Sequence, residues 1–161
     1  MDILTKAERS AAMSRIRARG NERTELSFAR MLRAAGLNGW RRHLTLLLKG
    51  LRPGTAIASD GTRFLPKVRP DFVFPSAKLA VFVDGCFWHG CPRCYRSPKT
   101  RSRFWRTKVD RNRERDVFQT RALRQRGWRV LRVRECALSV RRSPATLRRI
   151  SKALVATPTS A

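Results

Sequence analysis

Apolar residues recur along this chain with two spacings, one near the helical 3.6 and one that closes up into unbroken runs typical of buried strands. Thr5-Lys6-Ala7-Glu8 is a capping-box pattern opening a first helix, with Ala11, Ala12, Met13 and Ile16 set among Arg15, Arg17 and Arg19. Gly20-Asn21 breaks it. Asn21 then caps a second helix over residues 22–35, whose Phe28, Met31, Leu32 and Ala35 keep helical spacing up to a stop at Gly36. A short strand is expected at 40–44. From 45 to 66 the period is lost, and Pro53-Gly54 and Asp60-Gly61 punctuate a surface insertion loop. Order returns at 69–74, Pro75-Ser76 turns the chain, and the apolar run 79–83 comes back as the second strand of a hairpin. A long basic helix follows over 102–126 with Gly127 as its stop, then a Val- and Trp-rich strand over 128–135. Ser143-Pro144 precedes a last helix over 145–155, and the tail 156–161 is expected to fray. Helices interleaved with a few strands predict one α/β domain over 1–161, a mixed sheet with helices on it and residues 1–20 as an N-terminal arm.

Charge narrows the function. Among 161 residues, 37 Lys and Arg face 11 Asp and Glu, a formal net charge of +26. That excess is far beyond what solubility requires and implies a polyanion partner, nucleic acid above all. No apolar window approaches membrane-spanning length, and the first residues lack the apolar core of a signal peptide, so a cytosolic protein is expected. In that reducing setting four cysteines point to metal rather than disulfides.

The chemistry is concentrated between residues 80 and 94, where an apolar strand runs into Asp84, Gly85, Cys86, Phe87, Trp88, His89, Gly90, Cys91, Pro92 and Cys94. The spacing Cys86-x4-Cys91-x2-Cys94 lets thiolates converge on one tetrahedral ion, and Cys136, at the end of the last strand, completes a four-thiolate structural zinc site without an open position. Closing that knuckle pushes Phe87, Trp88 and His89 outward; taken singly, the rings are as readily core residues and the imidazole a satisfied loop histidine. Asp71 opens one hairpin strand and Asp84 closes the other, so the two carboxylates are expected within reach of one divalent cation. Glu25, in the first turn of its helix, is on local grounds a partner of the helix dipole, Met13 and Ile16 a buried face, and Asn112 and Asp116 a polar helix face pairing with Arg113 and Arg115.

Arg69-Pro70-Asp71 on a strand, the run Phe82 to His89, Phe104-Trp105 with Lys108, Asn112, Arg115 and Asp116, then Gly127-Trp128 and Glu135-Cys136, with Met13 to Ile16 and Glu25, together resemble the very short patch repair endonucleases. The resemblance implies a restriction-endonuclease-like core acting on double-stranded DNA, and a Mg²⁺-dependent nick 5′ of the mispaired T at the T·G mismatches left by deamination of 5-methylcytosine. By the same likeness Asp71 and the backbone carbonyl of Val83 would hold Mg²⁺, and His89 would activate water. Glu25 would hold metal-bound water, Asp116 would orient His89, and Phe87 and Trp88, with Met13 and Ile16 of the arm, would contact DNA and wedge into the stack. The implied setting is a bacterial cytoplasm, on the nucleoid when acting, as a monomer, with other mismatch-repair proteins as a partner class. The physics is compatible: one carboxylate-held cation and one imidazole meet the needs of phosphodiester hydrolysis, and a weakly stacked mispair is cheaper to open than a matched pair.

The chain also departs from the family. Restriction-like enzymes carry an acidic-x-Lys triplet where this chain reads Asp84-Gly85-Cys86, Asp84 stands where relatives often have histidine and is either a third metal ligand or only a structural partner, and Cys91 and Cys94 stand where they often have a histidine and a cysteine. Two readings of other classes remain: a non-catalytic zinc-dependent nucleic-acid binder, and a restriction-type endonuclease acting on intact duplex.

Overall fold

A computed structural model describes residues 22–48, 61 and 67–155. The arm with Met13 and Ile16, the Asn21 cap, most of the insertion and the tail 156–161 lie outside the described residues.

The expected helix over 22–35 begins as a π-type turn, Glu22–Leu26, and continues as α1, Ser27–Ala34. Such widened turns recur at functional sites; here it buries Glu25, which is 5% exposed. The predicted strand 40–44 shortens to β1, Arg41–Arg42. His43 takes a left-handed φ of 53°, which no extended strand accommodates, and ends it. The leucine run is more than a loop: β2, Leu46–Leu47, pairs antiparallel with β3, Lys67–Val68, as a separate small sheet at the base of the insertion. Buried Leu48 and Val68 explain it, since they close part of the core.

The main sheet combines β1, β4 (Phe72–Phe74), β5 (Leu79–Asp84) and β6 (Arg129–Arg134) in the order β1-β4-β5-β6. The hairpin β4–β5 is antiparallel as expected, while β5 and β6 run parallel, their crossover carried by helix α2, Ser102–Arg124. A 3₁₀ turn, Glu135–Leu138, and α3, Ser143–Val155, follow. This mixed α/β arrangement fits an endonuclease-like core.

Both faces of β5 are covered, which is why its apolar run is unbroken. Leu79, Val81 and Val83 pack with Phe28, Leu32, Phe72 and Ile150. Ala80 and Phe82 pack with Leu48, Leu123 and Val130 on the side of α2. By the strand period of two, Asp84 continues the α2 side from Phe82, and Arg132 continues it from Val130. Two charged side chains are therefore delivered, on adjacent parallel strands, to one end of the α2 face.

Candidate active site

A cavity of about 520 Å³ opens where β4, β5, β6, α2 and the Glu22–Leu26 turn meet, and Glu25, Asp71, Asp84, His89, Asp116 and Arg132 all line it. Five expected site members, Glu25, Asp71, Asp84, His89 and Asp116, are thus brought together, and they sort into two groups.

The first group is Glu25, His43 and Asp71, whose ligand atoms lie within 4.8 Å of one another. Asp71 Oδ2 accepts the backbone N–H of Val83 at 2.7 Å. A strand residue directs its N–H and C=O to the same side, so the Val83 carbonyl faces this edge too. The β4–β5 register, carried two residues beyond Phe72↔Val81, sets Val83 opposite Pro70, which has no N–H to offer that carbonyl. Burial pushes the Asp71 carboxyl up to about 6; the Val83 hydrogen bond opposes this, the charges of Glu25 and Asp84 add to it, and Arg132 opposes it. A carboxyl held in that state gains from a cation, so the donor set suits a divalent ion. Arg42 Nη2 and His43 Nε2 reach Glu25 Oε2 at 2.6 and 2.9 Å, so Glu25 is tied to strand β1 and its end rather than merely serving a helix dipole.

The second group is Asp84, His89 and Asp116. His89 Nδ1 and Asp116 Oδ2 are 2.6 Å apart. The carboxylate accepts, so Nδ1 carries a proton and Nε2 is the ring nitrogen left facing away from Asp116. Asp84, which the hairpin geometry set beside Asp71, is engaged on the β6 side, where Arg132 Nε and Nη2 donate to its two oxygens at 2.8 and 2.6 Å. Arg132 Nη2 also donates to Asp116 Oδ1 at 2.7 Å. Asn112 and Asp116 therefore do not pair with Arg113 and Arg115; Asn112 Nδ2 donates to the Trp88 carbonyl at 2.7 Å.

With the His89–Asp116 contact, that bond helps α2 seat the arch 86–90. A further bond runs from Arg113 Nη2 to the Gly90 carbonyl at 2.8 Å. Gly90 has φ +57°, and a Cβ there would meet Val109 Cγ1 at 2.5 Å, so only glycine fits. At the base of the arch Cys86, Cys91, Cys94 and Cys136 bring their sulfurs within 4.8 Å of one another. The Cys91 and Cys136 sulfurs are 3.9 Å apart. Zn–S bonds of about 2.3 Å put the sulfurs of a tetrahedral site about 3.8 Å apart, so the set fits zinc and is far from disulfide contact. Glu135 Oε2 accepts the Cys86 N–H at 3.0 Å, tying the arch to the end of β6.

Phe87 and Trp88 belong to neither core. They are half-buried and form a ring cluster with Tyr95, Phe104 and Trp105, with centroid separations from 5.1 to 5.9 Å. Trp88 borders the cavity, and Arg69, Lys108 and Arg115 add positive charge to its wall.

Sequence reasoning missed Arg42, His43 and Arg132. The chain has only two histidines, and each proves to sit on a carboxylate, so rarity was the usable signal for His43. Arg132 is one arginine among many, and nothing local distinguishes it.

Comparison with known proteins supplies the remaining observation. The family model described as DNA mismatch endonuclease Vsr matches residues 57–96. The type II nicking enzyme V.NaeI of Lentzea aerocolonigenes is 38% identical over 135 residues, 81% of this chain and 81% of that protein. The type II nicking enzyme V.XorIIP of Xanthomonas oryzae pv. oryzae is 45% identical over 103 residues, 56% of this chain and 74% of the relative. The DNA mismatch endonuclease Vsr of Escherichia coli K12 is 47% identical over 72 residues, 44% of this chain and 46% of the relative.

Proposed function

The chain belongs to the Vsr family of endonucleases, hydrolases acting on DNA, and from that premise we propose that it nicks one strand of duplex DNA 5′ of the T in a T·G mismatch. The observation carrying this reading is the shared cavity: a buried carboxylate, an imidazole oriented by a second carboxylate, and a cluster of rings at its edge.

The residues divide the work as follows. Asp71 and the Val83 carbonyl would hold Mg²⁺, with Glu25 beside them as acceptor for its water. When bound, the ion neutralises charge developing on the phosphate oxygens. His89 takes the proton of the attacking water at Nε2, and Asp116 keeps the ring in the tautomer that allows it. The water oxygen bonds to phosphorus as the bridging oxygen of the outgoing strand leaves. Arg69, Lys108 and Arg115 face the phosphates. Phe87 and Trp88, braced by Trp105, present apolar surface to the stack beside the mispair, and a weakly stacked pair yields at lower cost. The four cysteines hold zinc as a structural clamp on the arch that carries Phe87, Trp88 and His89. One domain carries all of this, and its place is short-patch repair after 5-methylcytosine deamination.

The nicking relatives favour single-strand cleavage over duplex restriction, and the polar groups gathered in the cavity favour an enzyme over a zinc-dependent binder. The test is a panel of labelled duplexes differing in one base pair, incubated with Mg²⁺. Selective nicking 5′ of T in T·G supports the proposal; equal cutting of the paired control, or of both strands, contradicts it.

A further inference from the structure

Arg132 holds the centre of the second group of the site. Its Nη2 lies 2.6 Å from Asp84 Oδ1 and 2.7 Å from Asp116 Oδ1, so it stands between the two carboxylates. Its Nε completes a two-pronged pair with Asp84, and the guanidinium lies 4.4 Å from the centroid of the Phe82 ring. Asp84, His89 and Asp116 have the donor types and the mutual distances of a divalent-cation site. The place an ion would take between the carboxylates is filled by a side chain of the protein, locked by two hydrogen-bonded acids and a ring.

We propose that the Arg132 guanidinium is a built-in cation occupying what would otherwise be a second divalent-metal site, so that the Asp84, His89 and Asp116 group takes no exchangeable cation. The inference rests on the assignment of Asp71 as the cation site made above. Three observations support it. Asp84 is 5% exposed, and a buried carboxylate beside Asp116 and near Asp71 needs compensating charge. Guanidinium is planar, always charged and supplies the forked donors that a pair of carboxylates accepts, so it does not dissociate as a metal ion would. Finally, an ion placed between Asp84 and Asp116 would lie against that guanidinium and be repelled by it. The pair also explains the departure at Asp84, because an acid there is matched by Arg132 on the adjacent strand and not by the lysine of an acidic-x-Lys triplet.

Mn²⁺ is the probe, counted by electron paramagnetic resonance on zinc-loaded protein without DNA, with zinc content and circular dichroism as controls on folding. Wild type binds one Mn²⁺. Asp71→Ala removes it. Arg132→Met vacates the position between Asp84 and Asp116 and binds two, and adding Asp84→Asn to that variant returns the count to one. Arg132→Lys, which keeps a fixed charge, stays at one. Two ions on wild type, the second lost in Asp84→Asn, would overturn the inference, and so would a folded Arg132→Met protein that still binds one. If Arg132→Met does not fold, the wild-type count still tests the inference, because a second ion lost in Asp84→Asn would overturn it. If wild type binds one ion that Asp71→Ala leaves in place, the assignment of Asp71 fails instead, and the two failures are distinguishable.

Discussion

His89 Nδ1 and Asp116 Oδ2 stand 2.6 Å apart across two elements, the arch after β5 and the middle of α2. The contact directs Nε2 away from the carboxylate and assigns its tautomer, so removing either partner has a separable effect. If His89 accepts the proton as proposed, His89→Ala lowers the single-turnover nicking rate by roughly 10² to 10⁴. Asp116→Asn leaves the imidazole but loses its orientation, with a smaller loss of rate and little change in duplex affinity. If His89→Ala instead weakened duplex binding while bound complexes nicked at the normal rate, His89 would be a recognition residue.

The carboxyl of Asp71, pushed up to about 6 chiefly by burial, gives a pH signature with a definite sign. Below about pH 4 the group is protonated in both folded and unfolded chains. As pH rises from there, the unfolded chain ionises first and gains stability relative to the fold, so the metal-free protein weakens until pH passes about 6. Asp71→Asn lacks this loss and is expected to be more stable than wild type by about 2 to 3 kcal/mol at pH 7 in the absence of added divalent cation. Denaturant midpoints of both proteins between pH 4 and 8 check it; parallel curves would remove the claim. Nicking should rise over the same range, since only the ionised carboxylate holds a cation.

How far the sequence disclosed all this depends on whether a signal was local. The β4–β5 hairpin, α2 with its Gly127 stop and the three knuckle cysteines each follow from spacing within a short window, and the structure has them, with Cys136 brought in from the end of β6. The left-handed His43 that ends β1 was not legible, because a non-glycine residue at φ 53° is held there by its surroundings, here its N–H on the Asp71 carbonyl and Arg69 on its own carbonyl. Nor was the β2–β3 pair, whose strands lie on either side of a long insertion. Asp84 was read with Asp71 because hairpin ends are neighbours. Its actual partner comes from β6, a contact 48 residues away that no local pattern encodes.

Zinc is expected to be required for the arch and not for the chemistry. With Cys86, Cys91 and Cys136 buried or half-buried and no disulfide among the four thiols, an arch without zinc would have only its ring cluster and its bonds to α2 and Glu135 to hold its turns together. Cys136→Ser should lose stoichiometric zinc and, because metal binding is coupled to folding, lower the melting temperature substantially. Nicking should be lost with it, and added Mg²⁺ should not restore it. A Cys136→Ser protein that lacked zinc yet melted and nicked like wild type would show that the sulfurs do not clamp this arch.

Trp88 edges the cavity with its ring against Phe87 and Trp105 at 5.3 and 5.9 Å, so it is braced from behind by aromatic contacts and its carbonyl is held by Asn112. A ring so supported cannot swing away when it meets a base step, which is what a wedge requires. Truncating it should therefore act on discrimination more than on chemistry. Opening a base step costs about a few kcal/mol, and the ring recovers more of that cost at a loosely stacked mispair than at a matched one. Trp88→Ala is expected to weaken binding to a T·G duplex by roughly ten- to a hundredfold, about 1.4 to 2.8 kcal/mol, while changing binding to the paired duplex much less. Trp105→Ala, which removes only the brace, should give a smaller loss in the same direction. Competition titrations with the two duplexes measure the ratio directly. An unchanged ratio in Trp88→Ala, with folding and zinc content intact, would place recognition of the mispair elsewhere on the protein.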